Sequence, residues 1–393
     1  MSSDPVVIVA AKRTPIGAFQ GALSGATAPQ LGSAALGAAV ASADIDAADI
    51  DQVLMGCVLS AGLGQAPARQ AALGAGIPTG TPCTTVNKMC GSGMEAVIIA
   101  HDMIAAGSAS IIAAGGLESM SNAPYLLPKA RDGFRMGHQQ AIDHMFYDGL
   151  QDPYEGEMMG HYAQVTADKY EFSREQMDEF AIESVNRAQR AVADGNFADE
   201  IAPVTISSRH GDVTVTEDET PGTVSIEKIP TLRPAFRRDG TVTAATSSSI
   251  SDGAAAMILM SESEALKRGL QPLARIIAHS AFAQEPAWFT TAPVEALNTL
   301  HHKLGWTPDD ADLYEINEAF AVVTMAAMTD VGIDHSKVNV NGGASALGHP
   351  IGATGCRISV TLLHALRARD LKHGIATQCI GGGEATAIAL EID

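Results

Sequence analysis

Two distant stretches of this chain follow one plan. In the first half, "VLMGCVLSAG" leads to "TVNKMCGSGMEAVIIAHDMI" and then to "SIIAAGGLES". In the second half, "LYEINEAFAVVTMAAMTDVGID" leads to "VNVNGGASALGHPIGATGCRISVTLLHAL" and then to "IATQCIGGGEATA". Each reads as strand and helix, then strand, glycine turn and long helix, then strand and a pair of glycines. Short apolar runs without alternation are strands buried on both faces, and their exchange with helix-like runs predicts an α/β fold. "VVIVAA", "DLYEIN", "KVNVNG" and "GIATQCI" belong to that strand set. Helices are expected over Met94 to Ala105, Phe320 to Thr329 and Ala353 to Ala368. Two such halves pack as a pseudo-dimer, with sites where strands end and helices begin.

The plan breaks between Ser121 and Ser249, which are rich in proline, glycine and charge. One amphipathic helix is expected there, "SREQMDEFAIESVNRAQRAV", with Ser173 as N-cap and Gln176 closing a capping box. "GDVTVTEDE" alternates like a half-exposed strand. The expected division is a first half of residues 1–120 with 251–271, a loop-rich insertion over 121–250, and a second half of residues 272–393.

Composition narrows the function classes. The 393 residues carry a formal net charge of −20, which repels nucleic acid and anionic membrane. The most apolar stretch, Ala96 to Gly116, is broken by His101, Asp102 and Gly107 and is too polar to span a bilayer. The start, "MSSDPVVIVAAKRT", shows no targeting pattern, and "ALEID" at the end is no peroxisomal address. Five cysteines at irregular spacing, without a CxxC pair, argue against a metal site and for a reducing, cytoplasmic setting.

Four positions carry candidate chemistry. Cys90 sits where an extended run gives way to Gly91, Ser92, Gly93 and a helix. A helix start or a nearby imidazole favours thiolate, and thin residues let a ligand approach the backbone; a packed core cysteine reads the same way. His349 lies in "GGASALGHPIGATG", whose glycine-rich loop presents it as a general base or cradles a phosphate, though no Lys-Ser/Thr ending follows. Cys379 precedes three glycines, as a proton-exchanging thiol beside an oxyanion-binding turn or as a packed turn residue. Asn317 and Glu318 stand at a strand-to-helix switch, where asparagine caps a helix, holds a water or orients His349, and glutamate favours a first turn.

Taken together, "NKMCGSGM", "NEAFA", "GGASALGHPIGATG" and "CIGGG" are similar to the four signature stretches of the thiolase family, in the same order and spacing. "VIVAAKRTPIG", "GGLESMSNAPY", "LRPAF" and "DGAAA" extend the resemblance over essentially the whole chain. "FTTAPV" (Phe289 to Val294) resembles the branch that condenses acetyl-CoA. The resemblance implies a five-layered αβαβα fold of two similar halves, with the insertion serving CoA binding and oligomerisation in a homodimer or homotetramer. It implies ping-pong condensation of two acetyl-CoA molecules to acetoacetyl-CoA and CoA, and the reverse thiolysis, without metal or cofactor. Cys90 would carry the acyl group, His349 would take its proton, and Cys379 would exchange a proton with the substrate methyl. One oxyanion site would use His349 with a water held by Asn317; the other would use the amides of Cys90 and Gly381. Ser248, Ala244, Met158, Phe236, Phe289, Ala319 and Phe320 would contact substrate or CoA.

Four departures stand out. "MMG" (Met158 to Gly160) replaces the family's HMG, and "TAATSSS" replaces TAGNASG. "GGGEA" places Glu384 beside the site, and Pro221 stands where some members carry an arginine. Competing readings are a 3-ketoacyl-CoA thiolase for longer chains and a non-catalytic binder of CoA thioesters. A ketoacyl synthase is disfavoured by Asn317 and Cys379.

Overall fold

The computed structural model describes residues 4–209 and 211–392. The outermost residues of the two expected halves, 1–3 and 393, lie outside the described residues. Nine principal strands are β1 (Val6–Arg13), β2 (Gln52–Gly56), β3 (Cys83–Val86), β4 (Ile111–Ser119), β5 (Ser251–Ser261), β6 (Ala274–Ala283), β7 (Leu313–Ile316), β8 (His373–Ile380) and β9 (Glu384–Glu391). The principal helices are α1 (Ala28–Ala43), α2 (Pro67–Gly74), α3 (Ser92–Ala105), α4 (Met159–Lys169), α5 (Arg174–Ala193), α6 (Ala292–Leu304), α7 (Ala321–Val331) and α8 (Thr354–Ala368).

Strand order makes the duplication visible. The first half runs β3-β2-β4-β5-β1, with β3, β2 and β4 parallel and β5 antiparallel to both neighbours. The second runs β7-β8-β9-β6, with β7 and β8 parallel and β9 antiparallel to both neighbours. The halves meet edge to edge where β1 pairs with β6 at only two positions, Val7 with Arg275 and Ile8 with Ala274.

The second half lacks the third strand expected at "KVNVNG". That segment makes a single parallel bridge, Tyr314 to Val338. Asn339 explains the interruption. Its φ is +48°, and its side chain takes the Ile316 N–H at 2.8 Å and donates to the Ile316 carbonyl at 2.9 Å. A side chain thus makes the bonds that a continuing strand would have made.

Five layers follow from three apolar clusters. α1 and α2 pack on the outer face of the first sheet half. α3 and α8 lie between the halves, against strands of both. α6 and α7 cover the outer face of the second. The central position explains why α8 buries all but a few residues; a helix enclosed on every side has no polar face to spare. β4 is buried along its whole length, as an unalternating strand between two helix layers must be.

Between β4 and β5 lie α4, α5 and a hairpin of Val204–Ser208 with Gly211–Val215. The capping box of Ser173 and Gln176 forms as the sequence predicts. Arg13 of β1 ties this segment to the core. It is fully buried, with Nε 2.5 Å from Glu200 and Nη1 2.7 Å from Asp218. Removing Arg13 would leave two buried carboxylates without their cation, at a cost of about 3–5 kcal/mol. No helix among the described residues is long and apolar enough to cross a membrane.

Candidate active site

Cys90 precedes α3 in a tight turn. Met89 adopts φ +48°, and the Ser92 N–H and hydroxyl both donate to its carbonyl, at 3.0 and 2.6 Å. The flanking glycines serve packing rather than ligand approach. A Cβ on Gly91 would collide with Ile380, the neighbour of Cys379. A Cβ on Gly93 would lie 3.0 Å from the Gly352 carbonyl, in the loop that follows His349, and 3.0 Å from the Cys356 nitrogen at the start of α8. The two glycines therefore let the cysteine turn close onto the second half. Lys88 adds an ion pair of 2.5 Å to Glu384 at the start of β9, which gives the unexpected acid a partner.

The helix start does not give a resting thiolate. Burial pushes the Cys90 thiol up to about 11, although the backbone N–H groups of Gly381 and of Cys90 itself pull it down. A helix terminus is worth about 0.3–1 kcal/mol, whereas desolvating an ion costs several. Burial wins, so Cys90 needs a base.

His349 has the form of one. Its Nδ1 lies 2.6 Å from Thr354 Oγ1, and that hydroxyl donates to the Pro350 carbonyl at 2.9 Å. The hydroxyl proton is committed, so Nδ1 carries the ring proton and Nε2 keeps a bare lone pair. Nε2 is buried without a partner, and the residue lines the same cavity as Cys90.

Burial, with Arg357 nearby, pushes His349 down to about 3. An unfolded histidine titrates near 6.5. Between those values the unfolded chain binds a proton that the fold refuses, so this contribution to stability rises with pH and is lost as pH falls below about 6.5. His349→Asn should therefore lose less stability than the wild type between about pH 7 and pH 5, by roughly 2 kcal/mol in urea unfolding. Equal acid loss in both proteins would reject this assignment.

Asn317 follows β7 and is no helix cap; α7 is capped by Phe320 without a side-chain bond. Both polar atoms of the Asn317 side chain are buried without partners. Glu318 is not in a first turn either. It accepts from Ser184 at 2.8 Å, Asn339 at 2.8 Å and the Ser345 N–H at 3.0 Å, joining α5 and the His349 loop to β7. Cys379, near the end of β8, is fully buried, and burial together with the charge of Cys90 raises its thiol well above the ordinary range.

A cavity of about 210 Å³ is lined by Cys90, His349 and Gly381 together with Met158, Phe236, Ser248, Phe289, Ala319 and Phe320. Phe320 meets Phe236 and Phe289 edge to face, at centroid distances of 5.9 and 6.4 Å. Asn317 and Cys379 are buried and do not line it, and Ala244 is exposed outside it. Glu118 escaped the sequence reasoning. It is fully buried and accepts from the backbone N–H groups of Val58, Leu59 and Gly352 at 3.0, 3.1 and 2.8 Å. An acid in the otherwise apolar run "IIAAGGLES" was the available signal.

The sequence matches the thiolase N-terminal domain over residues 6–263 and the thiolase C-terminal domain over residues 270–392. It is 48% identical to an acetyl-CoA acetyltransferase of Pseudomonas aeruginosa over 391 residues, 99% of both chains. It is 50% identical to a probable acetyl-CoA acetyltransferase of Dictyostelium discoideum over 389 residues, 99% of this chain and 94% of that one. The crystal structure of the Bacillus anthracis acetyl-CoA acetyltransferase superposes with a TM-score of 0.97 at 41% identity, over all of both chains. Fold and relatives together define an acyltransferase. The chain belongs to the thiolase family.

Proposed function

We propose that the protein condenses two molecules of acetyl-CoA to acetoacetyl-CoA and CoA, and catalyses the reverse thiolysis, through an acetyl group carried on Cys90. The observation that carries this reading is a thiol in one cavity with Gly381 and with the bare Nε2 of His349, where the amides of Cys90 and Gly381 lower its proton affinity. The same two amides suit the oxygen of a thioester carbonyl, and each such donor is worth roughly a hundred- to a thousandfold in rate.

The proton balance assigns the roles. Cys90 sulfur attacks the thioester carbon while its proton passes to His349 Nε2. The C–S bond to CoA breaks, and the departing sulfur takes the proton of Cys379. The acetyl enzyme then holds a Cys379 thiolate and an imidazolium. The thiolate removes a methyl proton from the second acetyl-CoA. The enolate oxygen is held by His349 and by a water on Asn317, whose two unpartnered atoms suit that task. The carbanion attacks the acetyl carbon, and Cys90 leaves and recovers its proton from His349. No redox partner or prosthetic group enters the balance.

Bulky Met158, Phe236, Phe289 and Phe320 favour short acyl groups over a longer-chain 3-ketoacyl-CoA reading. Thiolysis kcat/KM is expected to fall at least about tenfold from acetoacetyl-CoA to 3-ketohexanoyl-CoA, since a few methylenes in a tight pocket are worth that much. A flat or rising series would favour the longer-chain reading. Ser248 and Met158 are proposed CoA contacts from the cavity wall, and Ala244 from the surface. The exposed Tyr125, Met136 and Tyr154 support a homodimer or homotetramer, which light scattering would distinguish from a monomer. Five free cysteines support a reducing, cytoplasmic setting, which cell fractionation tests.

A further inference from the structure

One group of metal-binding side chains lies outside the thioester cavity. His101 and Asp102 stand on α3, and His279 stands on β6. His101 Nδ1 and His279 Nε2 each lie 2.9 Å from the same oxygen, Asp102 Oδ1. The two rings meet edge to face with centroids 5.2 Å apart. One donor atom from each residue falls within 4.8 Å of the other two.

We propose that His101, Asp102 and His279 form a binding site for a divalent transition cation of the zinc class. Two imidazoles and one carboxylate suit zinc, cobalt or nickel; magnesium and calcium call for more oxygen ligands. Tetrahedral zinc, with bonds of about 2.0–2.2 Å, keeps its donors roughly 3.3 Å apart. The two 2.9 Å separations are close to that edge, and small ring rotations open them to it. Both histidine rings are mostly covered, while 58% of the Asp102 side chain is exposed. The exposed side gives the ion its entry and leaves a fourth position for water. Lys303 bonds the His279 carbonyl and leaves its ring alone.

The placement gives the site a consequence. α3 belongs to the first half and β6 to the second, and the two sheet halves share only two paired positions. A bound ion ties the halves together at the helix whose start carries Cys90.

Zinc titration of the full chain by calorimetry tests the proposal. Thiols also bind zinc, so the same titration is run on Cys90→Ala/Cys379→Ala. One site per chain is expected in both proteins, weakened at least about tenfold by His101→Gln and by His279→Gln. Zinc should raise the melting midpoint of the wild type but not of His279→Gln, because only a ligand that favours the fold shifts it. Metal-free turnover of His279→Gln, measured alongside, reports on folding. Absence of a site in the wild type overturns the assignment. So does affinity that survives both histidine replacements, or that vanishes with the thiols alone; the trio is then a hydrogen-bonded cluster only.

Discussion

Cys90→Ala will lower turnover at least roughly ten-thousandfold while leaving the affinity for CoA within a few-fold, because loss of a covalent nucleophile removes the reaction path and not the binding surface. The thiol is small and already lines a cavity, so its loss opens little further space and should move the melting midpoint only slightly. The amides of Cys90 and Gly381 survive the substitution, since both are main chain. They would still polarise a thioester carbonyl, which sets the residual rate above that of water alone. His349 keeps its bare Nε2 but has no thiol proton to take. Mass spectrometry of the wild type mixed with acetyl-CoA should find one acetyl group, on Cys90, and none on the variant. Turnover of the variant within tenfold of the wild type, or an acetyl group on another residue, would sink the covalent route.

How far this site could be read in advance depends on how local each signal is. Cys90, His349 and Cys379 were legible because each sits beside its own glycine turn, and the duplicated plan relates those turns. The work done by Gly91 and Gly93 was not legible. They make room for Ile380 and Gly352, hundreds of positions away, and nothing near them in sequence indicates which surface approaches. Glu118 was missed for the same reason, since its partners are main-chain amides 59 to 234 positions distant. Glu318 was seen but assigned to a helix turn, and its three partners come from α5, from Asn339 and from the His349 loop. Strands in both halves followed from apolar runs, except at "KVNVNG", while their order in the sheet was not read from the sequence. In that segment an asparagine side chain competes for main-chain bonds, and a short strand-like run does not reveal that competition. The ionisation of Cys90 went the other way from its helix position because burial is a property of the whole fold.

The same reasoning gives Cys379→Ala a different signature. Acetylation of Cys90 should persist, because the imidazolium of His349 can return a proton to the departing CoA. Condensation should fall at least roughly a thousandfold, within the range for loss of a positioned general base. The acetyl enzyme then accumulates, and rapid-quench measurement should show a burst of about one CoA per site followed by little acetoacetyl-CoA. Condensation within tenfold of the wild type would remove Cys379 from the role assigned to it; failure to acetylate would show instead that His349 cannot replace Cys379 as the proton donor to the departing CoA. The order of the two steps has an electrostatic basis. The Cys379 thiol is raised by burial and then by the charge of Cys90, so the two sulfurs resist being ionised together. An acetylated Cys90 carries no charge. Burial, the larger cause, persists after acyl transfer, so the second thiol becomes a usable base only by giving its proton to the departing CoA while the first is held as a neutral thioester.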